Sequence, residues 1–88
     1  MLIEGEINSK DLIDNIFSSL ENQLLDKTEI NLNFQDVTFI SVYFLERLEQ
    51  LVQKSKELNV KITVINIPPS IYKVFQVARV KNILELCV

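Results

Sequence analysis

Histidine and tryptophan are missing from the 88 residues, which include one cysteine, one glycine and two prolines. Without histidine the chain lacks the most common general base, and no neighbouring imidazole can activate Cys87 as a nucleophile. A single cysteine cannot form an internal disulfide, which fits a reducing compartment. With one glycine there is no glycine-rich phosphate loop. We therefore expect a cytoplasmic protein with no catalytic residues, no metal and no cofactor.

Long apolar runs and a positive net charge are also absent. No stretch approaches the ~20 apolar residues that a membrane-spanning helix requires, and residues 1–6 do not resemble a signal peptide. The formal net charge of −3 makes nucleic acid an unexpected partner. We expect neither insertion into a membrane nor binding to nucleic acid.

Hydrophobic residues make up 48% of the sequence, and their spacing indicates strands in three places. Residues 2–7 contain a short first strand. Strict alternation over 29–34 predicts a strand with one buried face. A turn is expected at 35–36, followed by a buried extended connection over 37–40. Residues 60–67 give the clearest strand of the chain.

Apolar residues recur with a helical period between these strands. The spacing predicts a first helix over residues 9–25, with Asn8 or Ser9 as its N-cap. A second apolar stripe predicts a helix over 42–58, and Ser41 stands in the N-cap position. Both helices have one apolar face, so each is expected to cover the sheet.

The remaining residues predict a short third helix that begins at Pro69 and a closing helix over 80–88. The order β-α-β-α-β-α-α favours a single α/β domain over 1–88 with a largely parallel sheet. Asn31 and Asn33 alternate with apolar residues, so helices are expected on one sheet face only. The prediction is a two-layer fold.

The ordered set of segments resembles the STAS domain, the fold of the bacterial anti-anti-sigma factors. Residues 5–8, Gly-Glu-Ile-Asn, are similar to the family's Gly-Glu-Leu-Asp. Residues 30–40 are similar to the strand that runs into valine, threonine, phenylalanine and isoleucine. Residues 60–71 look like the next strand and its proline-initiated helix, and 77–84 like the closing turn and helix. The order and spacing carry the resemblance, since no single motif is specific.

The resemblance implies a non-catalytic protein-binding module in a bacterial signalling pathway that regulates transcription. Its partner is then a protein such as an anti-sigma factor or a related kinase. One departure concerns the first strand, which is expected to be shortened or missing because only four residues precede Gly5. An exposed sheet edge would invite pairing, so a homodimer is a further expectation.

A second departure lies at the regulatory site. In phosphorylatable members, Asp-Ser-Ser/Thr-Gly-Leu begins the second helix and a partner kinase modifies the serine or threonine. Here residues 41–45 are Ser-Val-Tyr-Phe-Leu, so only Leu45 matches. Tyr43 stands in the acceptor position and Phe44 replaces the glycine. The resemblance therefore predicts that the usual phospho-switch is lost, with Ser41 acting as an N-cap.

Helical spacing places Val42 on a face with Glu46, and Tyr43 on a face with Arg47. Both faces are polar, so Val42 and Tyr43 are expected to point outward. These four residues are the predicted partner-binding surface, at the helix start where the family meets its partners. The competing interpretation is that a loop covers the two apolar side chains, or that their exposure has no role.

Two other functions remain open. Some STAS-like domains bind a nucleotide or a lipid or assist the ATPase of a membrane transporter, and thermal-shift assays with nucleotides and lipids test this possibility. The third function is a switch phosphorylated at Ser41 or Tyr43, which intact-mass analysis of the protein from its own cells would reveal.

Overall fold

Strands and helices alternate along residues 1–78, the part of the chain that the computed structural model describes. The strands are β1 (Leu2–Ile7), β2 (Glu29–Ile40) and β3 (Lys61–Ile65). The helices are α1 (Lys10–Asp26), α2 (Val42–Glu57) and α3 (Pro69–Val77). The strands form one parallel sheet in the order β1-β2-β3, which confirms the predicted α/β fold. The closing helix predicted over 80–88 lies outside the described residues, as does Cys87.

The central strand β2 shows that the described helices cover only one face of the sheet. Leu32 and Phe34 are fully buried, whereas Asn31 is exposed and Asn33 is only partly buried. The Asn33 side chain accepts a hydrogen bond from the Asn66 amide at 3.4 Å. Parallel sheets usually have both faces covered. Within residues 1–78 the arrangement is the two-layer one that the asparagines predict.

The first strand was expected to be shortened or missing, and it is present as a short strand. β1 has six residues, ends at Ile7 and pairs with β2 along its whole length. Gly5 has a φ of +79°, beside a register shift between Gly5 and Glu6. Glycine reaches this left-handed region without the strain that a Cβ causes. The bulge and the exposed Glu4 and Glu6 weigh against edge pairing of two copies, since both features protect sheet edges.

The turn predicted at Gln35 and Asp36 is wrong, because β2 continues unbroken from Glu29 to Ile40. A second register shift occurs where β1 advances from Leu2 to Glu4 while β2 advances from Asn33 to Asp36. An extra residue in one strand interrupts the alternation of buried and exposed side chains without ending the strand. The expected extended connection over 37–40 is therefore the second half of β2.

Serine caps position the two long helices. The Ser9 hydroxyl accepts a hydrogen bond from the Leu12 backbone N–H at 3.4 Å. The Ser41 hydroxyl accepts one from the Phe44 N–H at 3.3 Å. Of the two candidates for the first helix, Ser9 and not Asn8 is the N-cap, and the predicted N-cap Ser41 is confirmed. Each hydroxyl satisfies a backbone donor that the first helical turn leaves unpaired. Ser41 thereby makes α2 begin directly after β2.

Four phenylalanine rings join the helices to the central strand. Phe17, Phe34, Phe44 and Phe75 come from α1, β2, α2 and α3, and none is more than 1% exposed. The Phe44 ring centroid lies 5.2 Å from that of Phe17 and 5.9 Å from that of Phe34. The Phe34 and Phe75 centroids are 6.1 Å apart. Tilted and edge-on packing of this kind adds to the stabilisation from burial.

Candidate functional site

The start of α2 carries the predicted partner-binding surface. Val42 is 71% exposed, and Glu46, one turn further along, is also exposed. Val42 therefore points outward as predicted. An isolated exposed valine is ordinary in a folded protein. Val42 is a candidate for contact with a partner because it lies at the N-terminus of α2, a helix whose other apolar face is buried.

Tyr43 does not project freely into solvent, in contrast to the expectation. Its ring is partly buried against the core, and its hydroxyl donates a hydrogen bond to Asp14 Oδ1 of α1 at 2.5 Å. The polar face of α2 that contains Tyr43 is the face beside α1. Helical spacing within α2 identifies a polar face, but it does not reveal that a second helix packs there.

Arg47 also contacts α1. Its guanidinium lies 5.4 Å from the centre of the Phe17 ring, and its Nη2 lies 3.6 Å from Glu21 Oε1. A partly exposed ion pair of this kind contributes little stability. It does hold the guanidinium in one place above an aromatic face. Two of the four predicted surface residues, Tyr43 and Arg47, are thus fixed in position by α1.

The hydrogen bond to Asp14 raises the pKa of the Tyr43 hydroxyl, and partial burial adds to the effect. The cause is that ionised Tyr43 would lose its donor proton and stand beside a carboxylate. A raised pKa in the folded state means that this interaction stabilises the fold fully below the ordinary tyrosine pKa of about 10. The stabilisation is lost as the pH rises through the raised pKa.

Replacing Asp14 with alanine should lower the pKa of Tyr43, because the largest cause of the shift is removed. Tyrosine absorbance recorded against pH for the wild type and Asp14→Ala measures the change. Asp11→Ala removes the same charge from an exposed position in the first turn of α1, and it should leave the titration nearly unchanged. Coincident titrations of wild type and Asp14→Ala would contradict the assigned contact.

The positions of the family's phosphorylation motif have structural roles here. Ser41 is partly buried and its hydroxyl caps α2, while the Tyr43 hydroxyl is bonded to Asp14. Phe44, where the motif has glycine, is 1% exposed and lies in the phenylalanine cluster. The side chain that replaces the glycine is therefore part of the core. A partner's backbone cannot approach position 44 as it could approach a glycine.

An apolar groove between α2 and α3 was not identified from the sequence. It has a volume of about 460 Å³, with Ile40, Val42 and Leu45 on one side. The other side is lined by Ser70, Lys73, Val74 and Val77 of α3 and by Ala78, which follows the helix. Val77 is 74% exposed and Val74 is 37% exposed. The sequence contains no direct signal for this groove, because the exposure of these valines depends on how α3 lies beside α2.

The described residues contain neither a candidate metal site nor a helix that could cross a membrane. Within residues 1–78, no group of histidine, cysteine and carboxylate side chains could hold a metal ion. Among the helices described, none is both long and apolar enough to cross a membrane. What the site provides is an apolar and charged surface around the start of α2.

The chain matches the model of the STAS domain over residues 3–87, which is nearly its whole length. No curated protein matches the chain. Apart from Leu2, the first residue of β1, the match covers all six described elements.

Proposed function

Because the chain belongs to the STAS domain family, whose members are in general regulatory or interaction modules, we propose that it is a non-catalytic module that binds a protein partner. The proposed setting is bacterial, cytoplasmic and anti-anti-sigma-factor-like, in the regulation of transcription. The partner is an anti-sigma factor or a kinase-like protein. The proposal rests on one observation: Val42, an apolar residue at the N-terminus of α2, is 71% exposed to solvent.

The surface formed by Val42, Tyr43, Glu46 and Arg47 suits a partner for two reasons. Tyrosine and arginine are the residues that most often dominate binding energy at interfaces. Tyr43 and Arg47 are held by Asp14 and by contacts with α1, so they lose less conformational freedom when a partner binds. The surface combines an exposed apolar side chain with side chains that are already ordered.

The proposed module works without the usual phospho-switch. The hydroxyls of Ser41 and Tyr43 are both engaged in hydrogen bonds, and Phe44 fills the glycine position. Phosphorylation of Ser41 would remove the cap of α2, and phosphorylation of Tyr43 would bring a second negative group to Asp14. Unmodified mass in every growth condition is the expected result, and an added phosphate would favour the switch instead.

Val42→Asp should lose the protein partner when tagged variants are used for affinity capture from the protein's own cells. A charge in the contact is expected to weaken binding by about thirtyfold. Leu25→Asp is the matched control, because Leu25 is 74% exposed on α1 and lies outside the proposed surface. The control should capture the partner as the wild type does, with circular dichroism confirming that both variants fold.

Two results would change the proposal. Equal capture by Val42→Asp and the wild type would leave a binding module with its surface elsewhere. If neither the wild type nor the two variants capture a protein, the result would favour a module that binds a nucleotide or a lipid. Light scattering of the purified chain tests the separate proposal of a homodimer, which a monomeric mass would reject.

A further inference from the structure

The apolar groove between α2 and α3 extends the proposed surface onto a second helix. Val42 belongs to the groove and to the proposed surface. Val74 and Val77 of α3 line the groove but are not part of the proposed surface. Resting on the proposed function, we propose that the groove receives a helix of the protein partner. The helix presents apolar side chains to the valines and a carboxylate to Lys73.

Exposure supports an occupant for the groove. Val42 and Val77 are each more than 70% exposed, and the groove between them is lined mainly by apolar side chains, with the buried Ile40 and Leu45 among them. Contiguous apolar surface of this kind marks an interaction site more often than scattered exposed residues do. A bound helix would bury these valines and cover Leu45, and the removal of this apolar surface from water would favour binding.

The walls of the groove indicate a helical occupant. Apart from Ile40, the last residue of β2, and Ala78, the described lining residues belong to α2 and α3, and none of the described lining residues lies on an edge strand of the sheet. An extended peptide would find no sheet edge to pair with and would leave its own amides unpaired. A helix satisfies its backbone internally and can place side chains at i, i+3 and i+4 in the groove.

Charge determines the orientation of that helix. Lys73 is the only charged residue among the described residues that line the groove, and it is exposed. On the opposite side, Glu46 and Glu49 continue the face of α2 that starts at Val42, and both are exposed. A bound helix with carboxylates toward α3 and basic side chains toward α2 is complementary to Lys73 and to the two glutamates. The same helix bound in the opposite direction would place like charges together on both sides.

A synthetic amphipathic peptide tests the proposal directly. It carries leucines at i, i+3, i+4 and i+7, glutamates along one flank and lysines along the other, and its binding to the full chain is followed by fluorescence anisotropy. Val74→Asp should weaken binding by about thirtyfold, because a carboxylate then faces the leucines. Leu25→Asp, an exposed position on α1, should bind as the wild type does.

Lys73→Glu tests the charge. It should weaken binding of the peptide by about fivefold, and a peptide with lysines along both flanks should become the better ligand for this variant, because both walls then carry carboxylates. An unchanged preference would overturn the assigned carboxylate. Binding that survives Val74→Asp, or no binding to the wild type, would overturn the groove as the site.

The remaining outcomes identify other occupants. If residues 79–88 of the same chain filled the groove, Val74→Asp would lower the midpoint of thermal unfolding by many degrees. If a second copy filled it, Val74→Asp would turn a dimer into a monomer in light scattering. Either result overturns the proposed partner helix. Loss of the captured partner by Val42→Asp but not by Val74→Asp would reject this inference and leave the proposed function intact.

Discussion

Phe44→Gly is expected to lower the free energy of unfolding by about 4–6 kcal/mol. The substitution gives position 44 the glycine of the family's phosphorylation motif. It also removes a ring that is 1% exposed and packs against Phe17 and Phe34 at centroid distances of 5.2 and 5.9 Å. Loss of a buried phenylalanine leaves a cavity, and glycine adds a backbone entropy cost within a helix.

Gln50→Gly separates these two contributions. Gln50 is exposed in the interior of the same helix, so its replacement should cost only about 1 kcal/mol, the difference in helix propensity. Urea denaturation followed by circular dichroism measures both variants at neutral pH. If the two substitutions cost the same, Phe44 does not belong to the core. A large difference would mean that the family's glycine cannot be restored here without losing the fold.

Phe75→Ala is expected to lower the free energy of unfolding by about 3–5 kcal/mol. Helix α3 has nine residues, and only Ile71 and Phe75 of these are buried. Phe75 is fully buried and its ring centroid lies 6.1 Å from that of Phe34 on β2. Because two side chains anchor the helix, removing one should free α3 from the sheet and open the groove that it shares with α2.

Hydrogen exchange distinguishes local release of α3 from general destabilisation. The amides of α3 should exchange at a lower free energy than those of α1 and α2 in Phe75→Ala. Val77→Ala is the matched control on the same helix, since Val77 is 74% exposed, and it should stay within about 0.5 kcal/mol of the wild type. Should Phe75→Ala fail to fold, Phe75→Leu, which keeps most of the apolar side chain, tests the same anchor. Equal loss of protection in all helices would contradict the local role of Phe75.

Local patterns in the sequence predicted most elements because their causes are local. The four-residue apolar repeat indicated α1, and Ser9 and Ser41 marked the helix starts, since a cap bonds to a backbone N–H three residues away. The turn at 35–36 was wrong for a non-local reason. The bulge there exists because β1 pairs with β2 in a shifted register, and the partner strand lies about thirty residues earlier in the chain.

The sequence by itself determined the alternating order of strands and helices, the amphipathic character of α1 and α2, and the presence of Phe44 where the family's phosphorylation motif has glycine. Each of these follows from residue identity and short-range spacing. Only the tertiary structure decided what surrounds the start of α2. Tyr43 meets Asp14 across 29 residues of sequence, and the groove forms because α3 returns beside Val42. Exposure and charge environment depend on which elements become neighbours, and no pattern within one element specifies its neighbour.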